Sequence, residues 1–83
     1  MARLGPFTKM QSYRHGPGET GISAFHLELR SIAVRFKDGS IYLYDDQRPG
    51  KTHVEAMKKL AVAGKGLTTY INQRVRDRYA ARW

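Results

Sequence analysis

The stretch Ser31–Asp46, SIAVRFKDGSIYLYDD, restricts the fold more than any other part of the chain. Ile32, Val34 and Phe36 alternate with Ala33 and Arg35. That period of two marks a half-buried strand. Asp38-Gly39 follows, and then Ile41-Tyr42-Leu43-Tyr44, again rich in strand formers. Two such runs split by Asp-Gly predict a β-hairpin. The turn length decides where the tyrosines point. If Asp38-Gly39 alone is the loop, Phe36 pairs with Ile41, and Tyr42 and Tyr44 share the face of Arg35, opposite the core. If Lys37-Asp38-Gly39 is the loop, with Gly39 left-handed, Phe36 pairs with Ser40. Tyr42 then sits beside Val34, and Tyr44 beside Ile32. A slip of one residue exchanges every side chain between faces. The first register makes Tyr42 and Tyr44 candidate base-stacking residues beside basic ones. The second makes them core residues, the commoner use of strand tyrosines. It leaves Ile41 and Leu43 needing cover on the other side.

Further strands and helices follow from the flanking pattern. Phe25, Leu27 and Leu29 alternate with His26 and Glu28, so Ile22–Leu29 reads as a first strand. The apolar phase shifts from odd to even positions before Ile32, which calls for a bulge or tight turn at Arg30-Ser31. After Pro49-Gly50, Thr52 and Glu55 stand at capping-box spacing. A helix from His53 to about Ala63 would present Val54, Met57, Leu60 and Ala61 on one face, with Gly64 as its stop. A second helix, about Leu67–Ala80, would carry Leu67, Tyr70, Ile71, Val75 and Tyr79 as its apolar stripe. On that helix Arg74, Arg78 and Arg82 would stack at four-residue spacing into one basic ridge. The expected fold is a small α+β domain over residues 22–83: a three-stranded antiparallel meander followed by two helices packed on one face. Residues 1–21, rich in glycine and proline and net basic, read as a flexible arm.

Charge is the clearest functional signal. The chain has 83 residues and a net charge of +8, and its pI is near 10.2. A chain this short makes one domain with a marginal core. Residues 48–83 hold nine basic side chains against Glu55 and Asp77, a net +7. The strand region 22–47 is nearly neutral. So lopsided a basic domain points to a polyanion. There is no cysteine, hence neither a disulfide nor a thiolate metal site. The N-terminal MARLGPFTKM lacks the apolar segment of a signal peptide, and Leu60–Ala63 is too short to cross a membrane. A cytoplasmic protein with no membrane association is expected.

Catalytic groups are scarce. His15, His26 and His53 show no metal-ligand spacing. Asp45 and Asp46 are adjacent rather than a spaced acid–base pair, and no serine or threonine has an evident base. Gly50-Lys51-Thr52 resembles the end of a phosphate-binding loop, but position 45 is Asp rather than Gly and no buried parallel strand precedes it. Neither catalysis, a metal nor a cofactor is expected. Gly64-Lys65-Gly66, just before a helix, could grip a phosphate or could be a plain glycine turn.

From Ile32 onward the chain resembles the KTSC domain, a module named after the C-terminus of certain lysyl-tRNA synthetases. The likeness rests on the strand Ile32–Phe36 and on Gly39 followed by Tyr42-Leu43-Tyr44, which is similar to the family's Tyr-x-Tyr. It rests also on the glycine at the start of the last helix and on Tyr70-Ile71-Asn72, Val75-Arg76 and Tyr79. The family has no established activity, and RNA binding has been proposed for it. Charge and resemblance together lead to one expectation: a non-catalytic nucleic-acid-binding module, for RNA ahead of DNA. Lys58, Lys59, Lys65, Gly66, Arg74, Arg76, Arg78 and Arg82 would hold phosphates. The alternative is an interaction or accessory domain whose basic face meets an acidic protein. Oligomeric state is not legible.

Overall fold

A computed structural model describes residues 10–13 and 21–83. The protein is α+β. Its antiparallel sheet has five strands in sequential order: β1 (Gln11–Ser12), β2 (Ile22–Glu28), β3 (Ser31–Phe36), β4 (Ile41–Asp45) and β5 (Ala81–Arg82). The three expected strands form its centre, and a two-residue strand extends it at each edge. Helices α1 (Lys51–Ala63) and α2 (Leu67–Tyr70) follow β4. The second continues as a π-helical turn over Ile71–Val75.

The β3–β4 hairpin uses the three-residue loop. Phe36 N–H donates to the Ser40 carbonyl at 2.9 Å, and Gly39 N–H donates to the Phe36 carbonyl at 2.9 Å. Gly39 has φ +94°, a conformation that suits glycine. The Asp38 carboxylate closes the turn by accepting from Ser40 N–H at 2.9 Å and from its hydroxyl at 2.6 Å. Val34 therefore pairs with Tyr42 and Ile32 with Tyr44. Both tyrosines stand on the core face, and Tyr44 is only 1% exposed. The base-stacking platform of the shorter turn is thereby lost, because the platform needs the opposite face. Ile41, on that opposite face, is buried with Ala33, and Met10 and Leu43 pack against them.

A two-residue turn, Leu29-Arg30, joins β2 to β3, with Glu28 opposite Ser31. In such a turn odd positions face even ones, so Phe25 meets Val34 and Leu27 meets Ile32. That alone accounts for the shift in apolar phase. Leu29 falls on the turn and is 84% exposed. The bulge lies at the other end of β2, between Ile22 and Ala24, where Ser23 is the extra residue. Ser23 Oγ accepts from Arg35 Nε at 3.1 Å, so the bulge is tied to the neighbouring strand.

Residues 10–13 depart from the expected arm. Gln11 and Ser12 pair with Phe25 and Ala24. Tyr13 enters the core, edge-on to Phe25. The remainder of the proposed 1–21 arm lies outside the described residues.

The start of α1 corrects the capping-box reading. The helix begins at Lys51, with Gly50 as N-cap and no side-chain cap. Asp45 sets this up. Its Oδ1 accepts from Gln47 N–H at 3.0 Å and Arg48 N–H at 2.8 Å, and its carbonyl accepts from Gly50 N–H at 3.1 Å. The chain thus reaches helical geometry before Thr52, which sits exposed inside the first turn. Gly50 has φ 118° and ψ 158°, a region essentially restricted to glycine. Gly50→Ala should cost about 1–3 kcal/mol through backbone strain. An added Cβ would lie 3.9 Å from the Asp46 carbonyl oxygen, so crowding does not contribute. Thr52→Ala should stay within about 0.5 kcal/mol of wild type. Urea midpoints of the two variants check the pair, and the reverse order would restore the capping box. The far end of α1 is as expected: Gly64 is left-handed, and its N–H donates to the Leu60 and Ala61 carbonyls.

One core joins the helices to the sheet. Val54, Met57 and Ala61 of α1 and Leu67, Ile71 and Val75 of the second helix bury against Phe25, Ile32, Val34 and Tyr44. The second helix ends at Val75 rather than near Ala80. Arg76 N–H donates back to the Ile71 carbonyl at 2.6 Å, the i to i−5 bond of the wide turn. Arg76 then takes φ 36° and ψ −107°, which stops the helix. Arg78 N–H closes a turn on the Val75 carbonyl at 2.7 Å, and Ala81–Arg82 pairs with β4. The expected ridge of Arg74, Arg78 and Arg82 therefore does not form. Arg74 is in the wide turn, Arg78 in the reversal and Arg82 on an edge strand.

Candidate nucleic-acid interface

The basic residues divide into two groups according to what already holds them. Lys58 is engaged. Its Nζ donates to the Leu29 carbonyl at 2.8 Å and lies 3.4 Å from Glu55. It ties α1 to the β2–β3 turn and is only partly exposed. Lys59 on α1, Lys65 in the link between helices, and Arg74, Arg76 and Arg78 are all exposed. Among the described residues none of them makes an ion pair. Arg82, also exposed, lies over the Tyr42 ring with its guanidinium carbon 5.3 Å from the centroid.

Gly64 and Gly66 both have positive φ, 80° and 86°, which makes the link sharp. The first helical amide beyond it is already used: Leu67 N–H donates to the Tyr13 hydroxyl at 3.2 Å. The turn is thus pinned from inside by β1's neighbour. His53 Nδ1 and the Tyr70 hydroxyl share a hydrogen bond of 2.7 Å that joins α1 to α2. His26 is bonded to Glu28 across the surface of β2. Among the described residues no three His, Asp or Glu side chains converge as metal ligands would. No described helix is long and apolar enough to cross a membrane.

An open cleft of about 760 Å³ lies between the tip of the β3–β4 hairpin and the wide helical turn. Tyr42, Tyr44 and Tyr79 line it together with Phe36. Tyr42 is held edge-to-face by Phe36 at 5.2 Å and by Tyr79 at 4.8 Å between centroids. Lys37 stands at the hairpin side, and Asn72, Arg76 and Asp77 at the helical side. Burial pushes the Tyr44 phenol well above its ordinary pKa, and the neighbouring Tyr42 and Tyr79 phenols add to that. Bonding to Ser40 holds the Asp38 carboxyl below its ordinary value. Among the described residues, nothing forms a hydrogen bond with the Tyr44 side chain.

Sequence reading reached Tyr42, Tyr44 and Arg76 but missed Phe36, Lys37, Asn72 and Tyr79 as parts of one place. Nothing in the spacing of these residues announces the cleft. It exists because the wide turn and the return of β5 bring the end of the chain back to the hairpin tip. Compared with known proteins, the chain matches no family model, no curated protein and no solved structure.

Proposed function

We propose that the protein is a non-catalytic nucleic-acid-binding module of KTSC-like type that takes single-stranded RNA by its phosphate backbone. One observation carries this reading. Of the nine basic side chains in residues 48–83, only Lys58 meets a carboxylate in ion-pair contact among the described residues. Among the described residues the other eight make no ion pair with a carboxylate. A polyanion that neutralises them releases its condensed counterions, a large favourable contribution to binding. The ligating set is Lys59, Lys65, Arg74, Arg76, Arg78 and Arg82, with Lys58 left out because it is bonded internally. RNA stands ahead of DNA on the family resemblance. Titrating a short single-stranded RNA at several salt concentrations tests the proposal. Affinity should fall with salt at a log–log slope of about −0.7 for each phosphate contacted. Absence of binding at low salt would sink it and bring forward an acidic protein surface as the partner.

A further inference from the structure

We infer that the tyrosine-lined cleft receives one unstacked nucleotide of the bound strand, an inference that rests on the RNA reading. Three observations lead there. The first is shape and lining. About 760 Å³ is within the range of small-ligand sites, and the aromatic wall of Phe36, Tyr42 and Tyr79 suits a flat heterocycle. The second is the polar complement. The Asn72 amide offers both a donor and an acceptor, Asp77 an acceptor, and Lys37 and Arg76 two cations for a phosphate. A nucleotide is the ligand that presents a ring face, a hydrogen-bonding edge and an anion together. Asp38 also lines the cleft; its Oδ1 accepts both bonds from Ser40, and its charge is drawn towards Arg82 rather than towards Lys37 or Arg76.

The third observation is a pair of groups that the fold sets at the cleft. Tyr44 is 1% exposed, lines the cleft and has no hydrogen-bond partner among the described residues. The sealed, unpartnered polar atoms among the described residues are Asp46 Oδ1 and Thr68 Oγ1, so the Tyr44 hydroxyl opens onto the cleft, where a bound ligand can reach it. Arg76, at the rim, is the one described non-glycine residue with positive φ. Glycine would hold that turn at lower cost, and strain of this kind collects at ligand sites. A guanidinium there places a charge beside the aromatic wall that glycine cannot supply.

The test compares a short single-stranded RNA with an oligomer of equal length that has the same ribose-phosphate backbone and no bases. Nucleoside monophosphates are titrated alongside, with ribose phosphate as the baseless control, and amide NMR shifts are followed at Lys37, Ser40 and Asn72. The RNA should bind at least about tenfold tighter than the baseless oligomer. The monophosphates, and not ribose phosphate, should move the cleft amides. Tyr44→Phe and Arg76→Gly should each weaken RNA about fivefold without lowering the urea midpoint. Equal affinity for both oligomers with unmoved cleft amides overturns the cleft and leaves backbone binding standing. Full RNA affinity in both variants also overturns it. Failure of both oligomers to bind at low salt removes the RNA reading and this inference with it.

Discussion

Tyr44→Ala is expected to remove about 3–5 kcal/mol of stability, the cost of truncating a large buried aromatic. A domain of this length has on the order of 4–12 kcal/mol in total, at about 0.05–0.15 kcal/mol per residue. With no disulfide to support the fold, the variant should be largely unfolded at modest urea. The reason is positional. Tyr44 pairs with Ile32 and packs among residues of the sheet and both helices, so its loss leaves a hole where three elements meet. Tyr44→Phe keeps the ring and drops only a hydroxyl that no described residue engages, so its urea midpoint at neutral pH should be unchanged. The two variants diverge from wild type in different ways at high pH. The folded phenol titrates above its ordinary value of 10.0. Above that pH the unfolded chain releases a proton that the folded chain retains, so wild type loses stability as pH rises. Tyr44→Phe should lose less over the same range. An unchanged midpoint for Tyr44→Ala would mean that the tyrosine is not in the core.

The same residue shows why part of the fold was readable. Both turn lengths after Phe36 are compatible with Asp-Gly, and only the tendency of strand tyrosines to be buried favours the longer one. The hairpin, the strand before it and the apolar face of α1 all repeat over enough residues for a period to appear. The edge strands do not. Gln11–Ser12 and Ala81–Arg82 have two residues each, too few for any alternation. The second helix misled for another reason. Val75 and Tyr79 are four apart, which fits a helix stripe, yet the same spacing is met by a chain that turns at Arg76 and runs back along β4. No glycine or proline marks that turn, so the usual stop signal is missing. Thr52 and Glu55 have the spacing of a cap, but Gly50 can start a helix without one.

The candidate site was legible as charge and not as geometry. Composition alone places nine basic residues in the second half of the chain. It cannot tell that Lys58 is bonded to the Leu29 carbonyl, or that Arg82 lies over a ring rather than along a helix. Those facts depend on contacts far apart in sequence. The cleft is an extreme case, since its two sides come from residues 36–44 and 71–79.

The double variant Arg74→Ala with Arg78→Ala should flatten the salt dependence of RNA binding by roughly one to two units of log–log slope. Both side chains are exposed, and among the described residues neither makes an ion pair or a side-chain hydrogen bond. Their removal should therefore leave the urea midpoint within about 0.5 kcal/mol of wild type. Arg76 is a poorer choice for this purpose, because its positive φ couples any substitution to backbone strain. Lys58 serves as the internal control. Lys58→Ala removes an equal charge, but one already bonded within the fold, so it should cost stability and change the slope less than a free lysine such as Lys59 does. The loss from the double variant should be similar for RNAs of different sequence, since phosphate contacts position a strand without reading it. A slope that ignores Arg74 and Arg78 would take the end of the second helix out of the interface. A slope lost through Lys58 alone would place the contact surface on α1 and the β2–β3 turn instead.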